Sequence, residues 1–153
     1  MATRSTIALE FADGTVQQVY CHWDGYLEHN GEILFHHYVD PFKTRDLIDQ
    51  GDISSLGTVV GEKHSFSCLD SELDSVEYER LYGHMTTFYG RDREETGTDA
   101  KKFKSFDDYE ENFQHEEYAY ILRCDGNWYV KQGIEDFELL ATVLKDKILA
   151  EIE

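Results

Sequence analysis

The stretch STIALEFADGTVQQVYCHW, Ser5–Trp23, alternates apolar and polar side chains on either side of an Asp-Gly pair. Alternation with a period of two is typical of a half-buried strand, and Asp-Gly is a strong signal for a tight hairpin turn. We therefore predict a β-hairpin whose strands each turn one face toward the core. The side chains on those faces are Ile7, Leu9 and Phe11 in the first strand, and Val19, Cys21 and Trp23 in the second.

Other segments predict further strands and loops. EYAYILRC and NWYVKQ flank a second Asp-Gly pair, Asp125-Gly126, and predict a second hairpin. GHMTTFYG, bounded by Gly83 and Gly90, predicts an extra strand. We expect DISSLG (52–57) to be a compact turn that tucks its two apolar side chains into the core, and RDREETGTDAKK (91–102) to be a charged loop. Residues 58–80 are expected to hold a strand and a loop.

Spacing and capping signals predict the helices. GEILFHHY (31–38) has His37 on an apolar face. VDPFKTRDLIDQG (39–51) begins with an Asp40 N-cap and Pro41, and SFDDYEENF (105–113) begins with a Ser105 N-cap. The final segment, IEDFELLATVLKDKILAEIE, predicts an amphipathic helix. Its expected buried stripe is Phe137, Leu140, Ala141, Leu144 and Ile148.

Together these elements predict a single acidic α+β domain over residues 1–153. We expect an antiparallel sheet built from the two Asp-Gly hairpins plus an extra strand. Three or four helices would accompany it, and the C-terminal amphipathic helix would cover one sheet face.

Acidic side chains dominate the composition: 32 Asp and Glu stand against 14 Lys and Arg, for a formal charge of −18. The acids are spread along the chain, so the folded surface itself must be negative. Direct binding to nucleic acid or to an anionic membrane is disfavoured, and basic partners are favoured. Three separated cysteines and the lack of a signal-length or membrane-length apolar run predict a cytoplasmic protein with reduced thiols.

Several motifs resemble a family of small, functionally uncharacterised proteins from tailed bacteriophages and prophage-bearing bacteria. They are MATRSTIALE, DGTV, VYCHWDGYL, GDISSLG, FYGRDR and EEYAYILR, and the resemblance extends from Met1 to about Val130. It implies a phage-type protein that acts in a host bacterial cytoplasm, and it leaves the oligomeric state open. It implies no catalytic residues.

The segment VYCHWDGYLEHNGEILFHHY (19–38) contains four of the seven histidines and suggests a metal site. Geometry opposes that interpretation. Cys21 and His22 are neighbours on a strand and point to opposite faces, while His36 and His37 are about 100° apart on a helix. We therefore predict no metal ligands and no cofactor. A metal- or His-dependent hydrolase using His22, Asp24 or these helix histidines is the weakest alternative.

Two predicted strand ends carry residue types that suit a small anionic ligand. HWDGY offers aromatic, imidazole and carboxylate groups, and YGRDRE offers paired arginines that could grip a phosphate. Equally, the first could be a structural turn and the second could neutralise neighbouring acids. The candidate ligand-binding residues are His22, Trp23, Asp24, Tyr26, His36, Tyr89, Arg91 and Arg93.

Acidic runs suggest a second kind of site. Carboxylates on a folded surface can imitate the phosphates of nucleic acid and occupy a basic groove, although they can also be a solvated surface and nothing more. The candidate interaction residues are Asp107, Asp108, Glu110, Glu111, Glu116, Glu135, Asp136 and Glu138.

Two alternative functions are therefore considered, with the first preferred. The first is a non-enzymatic inhibitor of a host defence or nucleic-acid-handling protein, which binds a basic surface of that protein. The second is an anti-defence protein that sequesters a nucleotide-derived immune signal.

Overall fold

The computed structural model describes residues 2–113 and 116–152, which form eight strands and six α-helices. The strands are β1 (Ser5–Glu10), β2 (Val16–Cys21), β3 (Ile53–Ser55), β4 (Thr87–Phe88), β5 (Lys101–Phe103), β6 (Tyr118–Leu122), β7 (Trp128–Gln132) and β8 (Glu138–Leu139). The helices are α1 (Glu32–His37), α2 (Pro41–Asp49), α3 (Ser75–Tyr82), α4 (Tyr89–Arg93), α5 (Phe106–Asn112) and α6 (Leu140–Ile152). A π-helical turn at Leu27–Gly31 leads into α1, and a 3-10 turn occupies Cys68–Asp70.

Both predicted hairpins form, and they use the same turn. In each, glycine has a positive φ, +91° at Gly14 and +83° at Gly126. The preceding aspartate accepts a hydrogen bond at 3.0 Å from the backbone N–H of the residue after glycine. Asp-Gly suits this turn because glycine tolerates positive φ and aspartate bonds to the nearby backbone.

The sheet is mixed, which corrects the prediction of an antiparallel one. Its strand order is β4-β3-β2-β1-β6-β7-β8, and β5 also pairs with β2. The two antiparallel hairpins are joined through a parallel pairing of β1 with β6, and β2 is parallel to β3. A parallel neighbour requires a long crossover connection, which the chain between β2 and β6 provides.

Helices cover both faces of the sheet. One face packs Ile7, Val19 and Tyr120 in a cluster that includes side chains of α1, α2 and α6, so α6 lies where a covering helix was predicted. The other face packs Ala8 and Ile121 against side chains of α5. This second covering layer was not predicted. The class is therefore α+β, with more helices than expected.

Three segments differ from their predictions. DISSLG contains strand β3, because Ile53 pairs with both Cys21 and Phe88; its Ile53 and Leu56 are buried, as expected. Residues 58–80 contain the 3-10 turn and most of α3, whose N-cap Asp74 accepts from Glu77 N–H at 2.8 Å. The predicted charged loop at 91–102 includes the end of α4 and the start of β5.

The C-terminal helix begins at Leu140, six residues after the predicted start at Ile134. Phe137 precedes β8 and packs with α5 on the opposite side of the sheet from Leu140 and Leu144. Ile148 is 53% exposed, so the predicted buried stripe is correct only in its middle. His37, expected on an apolar face, is exposed.

Candidate functional site

Trp23 marks the first candidate site because it faces outward. It was predicted in the core but is 44% exposed. Strand β2 ends at Cys21, Trp23 N–H donates to the Ser54 carbonyl at 3.0 Å, and Asp24 has a left-handed backbone with φ +57°. Strand alternation ends with the strand, so it does not place this side chain.

The exposed indole lines a cleft of about 350 Å³, which we call the Trp23 cleft. Three other aromatic rings line it, those of Phe66, Tyr78 and Tyr82. The remaining lining residues are Ser54, Ser55, Ser67, Cys68, Glu79, Gly83, Met85 and Thr87. Glu79 is therefore the one Asp, Glu, Lys, Arg or His side chain among the described residues of this lining.

A buried imidazole lies behind Thr87 in this cleft. The His64 side chain is inaccessible to solvent, with Nδ1 at 2.8 Å from the Glu62 carbonyl and Nε2 at 3.2 Å from Thr87 Oγ1. Since a carbonyl only accepts, Nδ1 carries the proton that it donates to Glu62. Tyr82 stacks on this imidazole at 5.1 Å. The contacts of His64 with Thr87 and Tyr82 therefore hold the wall of the cleft in place. No sequence signal predicted this arrangement, because His64 is a lone histidine in a polar segment.

Arg91 is a structural residue, which corrects its assignment to ligand binding. Its Nε and Nη2 donate to the Asp92 carboxylate at 3.0 and 3.1 Å. The remaining bonds reach the carbonyls of Val60, Gly61 and Thr86 at 3.0, 3.1 and 2.8 Å. All five N–H donors of the guanidinium are thus engaged within the fold.

Arg93 remains at the surface beside aromatic rings. Its guanidinium carbon lies 4.3 Å from the ring centroid of Phe66 and 5.3 Å from that of Tyr89, and its Nε donates to Glu95 at 2.7 Å. Phe66 lines the Trp23 cleft and also a neighbouring open depression of about 530 Å³ that Arg93 and Lys63 line. Of the predicted arginine pair, only this one can meet a ligand.

The other candidate ligand residues are dispersed. His22 packs edge-on against Trp23 at 4.8 Å, and its Nδ1 shares a hydrogen bond of 2.7 Å with the Tyr20 hydroxyl, so it lies beside the cleft. Tyr26 lies near Asp24, whose charge is the first cause of its raised pKa, with burial second.

His36 is elsewhere. It pairs with Glu32 at 3.1 Å and lines an apolar groove between α1 and α6. The predicted ligand-binding residues therefore do not form one site.

No three His, Cys, Asp or Glu side chains within the described ranges are arranged to hold a metal ion. Cys21 is fully buried, and its Sγ lies 3.3 Å from the Asn30 side-chain nitrogen. Burial raises the pKa of this thiol to about 11. Cys21 is thus part of the packed core.

The second candidate site is acidic. Phe137 packs within 5.9, 6.1 and 6.2 Å of the rings of Phe106, Tyr109 and Phe113. This packing sets the acids that flank Phe137 alongside α5. We call the result the acidic face, formed by the exposed residues Asp107, Glu110, Glu111, Glu135, Asp136 and Glu138. None of these six forms an ion pair with another described residue.

Two predicted acids do not belong to this face. Asp108 has a local role, since it accepts from Lys104 N–H and from the Asn112 amide at 2.9 Å each. Glu116 is half-buried and near Tyr20, whose pKa is raised by burial first and, against the opposing effect of Arg4, by Glu116.

Comparisons of the chain with protein-family models, with curated proteins and with solved structures found no match in any of the three. Among the described residues, no helix is both long enough and apolar enough to cross a membrane.

Proposed function

We propose that this chain is a non-enzymatic, phage-type protein that inhibits a host defence or nucleic-acid-handling component. It binds a basic surface of that component through the acidic face, in place of nucleic acid. The formal charge of −18 draws basic partners over long distances, and the acidic face supplies a dense local contact.

One observation carries the proposal. The two acidic segments are more than 20 positions apart in sequence, and the packing of Phe137 on α5 unites them on one surface. Exposed carboxylates without internal ion pairs stay available to an external cation, and a row of them resembles the charge pattern of a phosphate backbone. A surface that was only solvated would not require this juxtaposition.

The test compares two variants with equal net charge. The face variant carries Glu110→Gln, Glu111→Gln, Glu135→Gln and Asp136→Asn. The scattered control carries Asp46→Asn, Glu62→Gln, Glu72→Gln and Asp146→Asn, which remove four exposed acids that lie outside the face.

Immobilised wild type and scattered control should retain basic, nucleic-acid-binding proteins from a bacterial lysate, and the face variant should not. Duplex DNA should release the retained proteins because it competes with this chain for the same basic groove. Raised salt should release them because it weakens the attraction between the opposite charges. Equal retention by the face variant, or release by salt but not by DNA, would contradict the proposal.

A second candidate is the sequestration of a nucleotide-derived signal. The observation that favours it is the guanidinium of Arg93 over Phe66 and Tyr89, with Lys63 in the same depression. Aromatic rings can stack a base and the two cations can take phosphates. Calorimetry with cyclic and ADP-ribose-derived nucleotides tests it, with Arg93→Ala as the variant that should abolish the heat of binding.

A further inference from the structure

The Trp23 cleft has the chemistry of a cation site. Four aromatic rings line it, and Glu79 contributes its carboxylate, while no lysine, arginine or histidine is among the described lining residues. Aromatic faces attract cations through the ring quadrupole, and a nearby carboxylate adds direct attraction. An anionic ligand would meet no positive group in this lining.

The surroundings make the cleft more negative. Burial raises the pKa of Tyr78, and the nearby groups Asp92, Cys68 and Asp70 raise it further. The Tyr78 hydroxyl already donates to the Ser65 carbonyl at 2.6 Å, so its proton is not available to donate to an anionic ligand. Both facts favour a positively charged occupant.

The protein uses the same contact internally. The guanidinium carbon of Arg91 lies 4.5 Å from the ring centroid of Phe88, and that of Arg123 lies 3.6 Å from the ring of Phe106. Arg93 lies over Phe66, which is itself a wall of the cleft. A planar guanidinium stacks on rings and pairs with a carboxylate more readily than a compact ammonium does.

We infer that the Trp23 cleft receives an arginine side chain of the basic partner, which stacks on the aromatic walls and pairs with Glu79. A volume of about 350 Å³ is large enough to admit one such side chain. The inference deepens the proposed function, on which it rests for the source of the arginine. The cleft is nevertheless built from different residues than the acidic face, so the two can fail separately.

The test is an NMR titration with N-acetyl-arginine methylamide. The two indole N–H signals serve as reporter and reference, since Trp23 is 44% exposed and Trp128 is buried with its N–H donating to the Tyr38 carbonyl at 2.9 Å. The Trp23 signal should shift with a Kd in the millimolar range that a single cationic side chain gives. The Trp128 signal should stay in place.

Glu79→Gln should weaken binding by about tenfold, because it removes the charge and keeps the shape. Glu72→Gln changes the net charge equally on the same segment but lies outside the lining, and should bind as wild type does.

The neutral isostere N-acetyl-citrulline methylamide should leave the Trp23 signal unshifted. Equal binding of the citrulline compound, or wild-type affinity in Glu79→Gln, would overturn the inference. The face variant should bind the arginine compound normally. Failure of the wild type to capture a basic partner would therefore count against the proposed function and not against the cleft.

Discussion

At the scale of single residues, Arg91 shows how one side chain can hold a segment in place. Its donors connect the carbonyls of Val60 and Gly61 to that of Thr86, and they also neutralise the buried Asp92 carboxylate. Asp92 in turn accepts from the backbone N–H groups of Phe88 and His64 at 2.8 and 3.1 Å. The wall of the Trp23 cleft therefore depends on this ion pair.

Arg91→Lys should lower the free energy of unfolding by roughly 2–3 kcal/mol, because a lysine cannot replace the fork of donors and leaves part-buried carbonyls and the buried Asp92 carboxylate incompletely paired. Urea denaturation measures the loss. Arg93→Lys is the matched control two positions away, at a half-exposed ion pair, and should change stability by less than about 0.5 kcal/mol. Similar losses in both variants would contradict the structural role of Arg91.

The burial of Tyr38 predicts that the free energy of unfolding falls at alkaline pH. Its side chain is buried, its hydroxyl donates to the Gly57 carbonyl at 2.8 Å, and burial raises its pKa to about 12. The unfolded chain ionises this phenol near pH 10, so its contribution is complete below pH 10 and is lost as pH rises toward 12.

The loss from this one group should be roughly 2–3 kcal/mol over that interval. Urea titrations between pH 8 and 12 measure it, and Tyr38→Phe should show a shallower decline than wild type. An identical pH slope in Tyr38→Phe would show that the phenol does not contribute.

At the scale of elements, Phe137 connects β8 to α5 and thereby forms the acidic face. Phe137→Ala should cost about 2–3 kcal/mol, less than a fully buried phenylalanine, because this side chain is only half-buried. Hydrogen exchange should accelerate in α5 and remain slow in β1 and β2. Ile134→Ala, in the same loop but 97% exposed, should change neither quantity. Unchanged exchange in α5 would show that the contact does not hold the helix.

Local signals predicted the elements whose cause is local. Both Asp-Gly hairpins and the N-caps at Asp40 and Ser105 formed where expected, since a turn or cap involves only a few neighbouring residues. Strand β3 is different. Its three residues are a strand because β2 and β4 provide hydrogen-bond partners on either side, and no local pattern reveals such partners.

The residues of both candidate sites were likewise predicted only where their placement has a local cause. Phe137 has helical spacing with Leu140 and Leu144, so the sequence predicts one stripe, yet these side chains pack on opposite sides of the sheet. Trp23 was predicted inward by alternation that ends two residues earlier, at Cys21. Six of the eight predicted acids are exposed on the acidic face, while Asp108 and Glu116 are not part of it, and the placement of the six depends on tertiary packing. His64 and Thr87 come together only through the fold.

At the scale of the whole molecule, the negative charge is both an advantage and a cost. Under the proposed function it steers basic partners toward the surface, and it also repels itself across the folded chain. The acidic face concentrates that repulsion, because none of its six exposed carboxylates forms an ion pair with another described residue. The acidic face should therefore be a weak point in stability at low salt.

Raising NaCl from about 20 mM to about 500 mM should therefore increase the free energy of unfolding of wild type by on the order of 1 kcal/mol, since salt screens exposed charges. The face variant should be more stable than wild type at low salt and should gain less from salt. The scattered control, with equal net charge, should lie between them, because its acids are far apart. Urea titrations of the three proteins at both salt concentrations measure these differences. If the two variants respond alike, total charge rather than its concentration on the acidic face sets the repulsion.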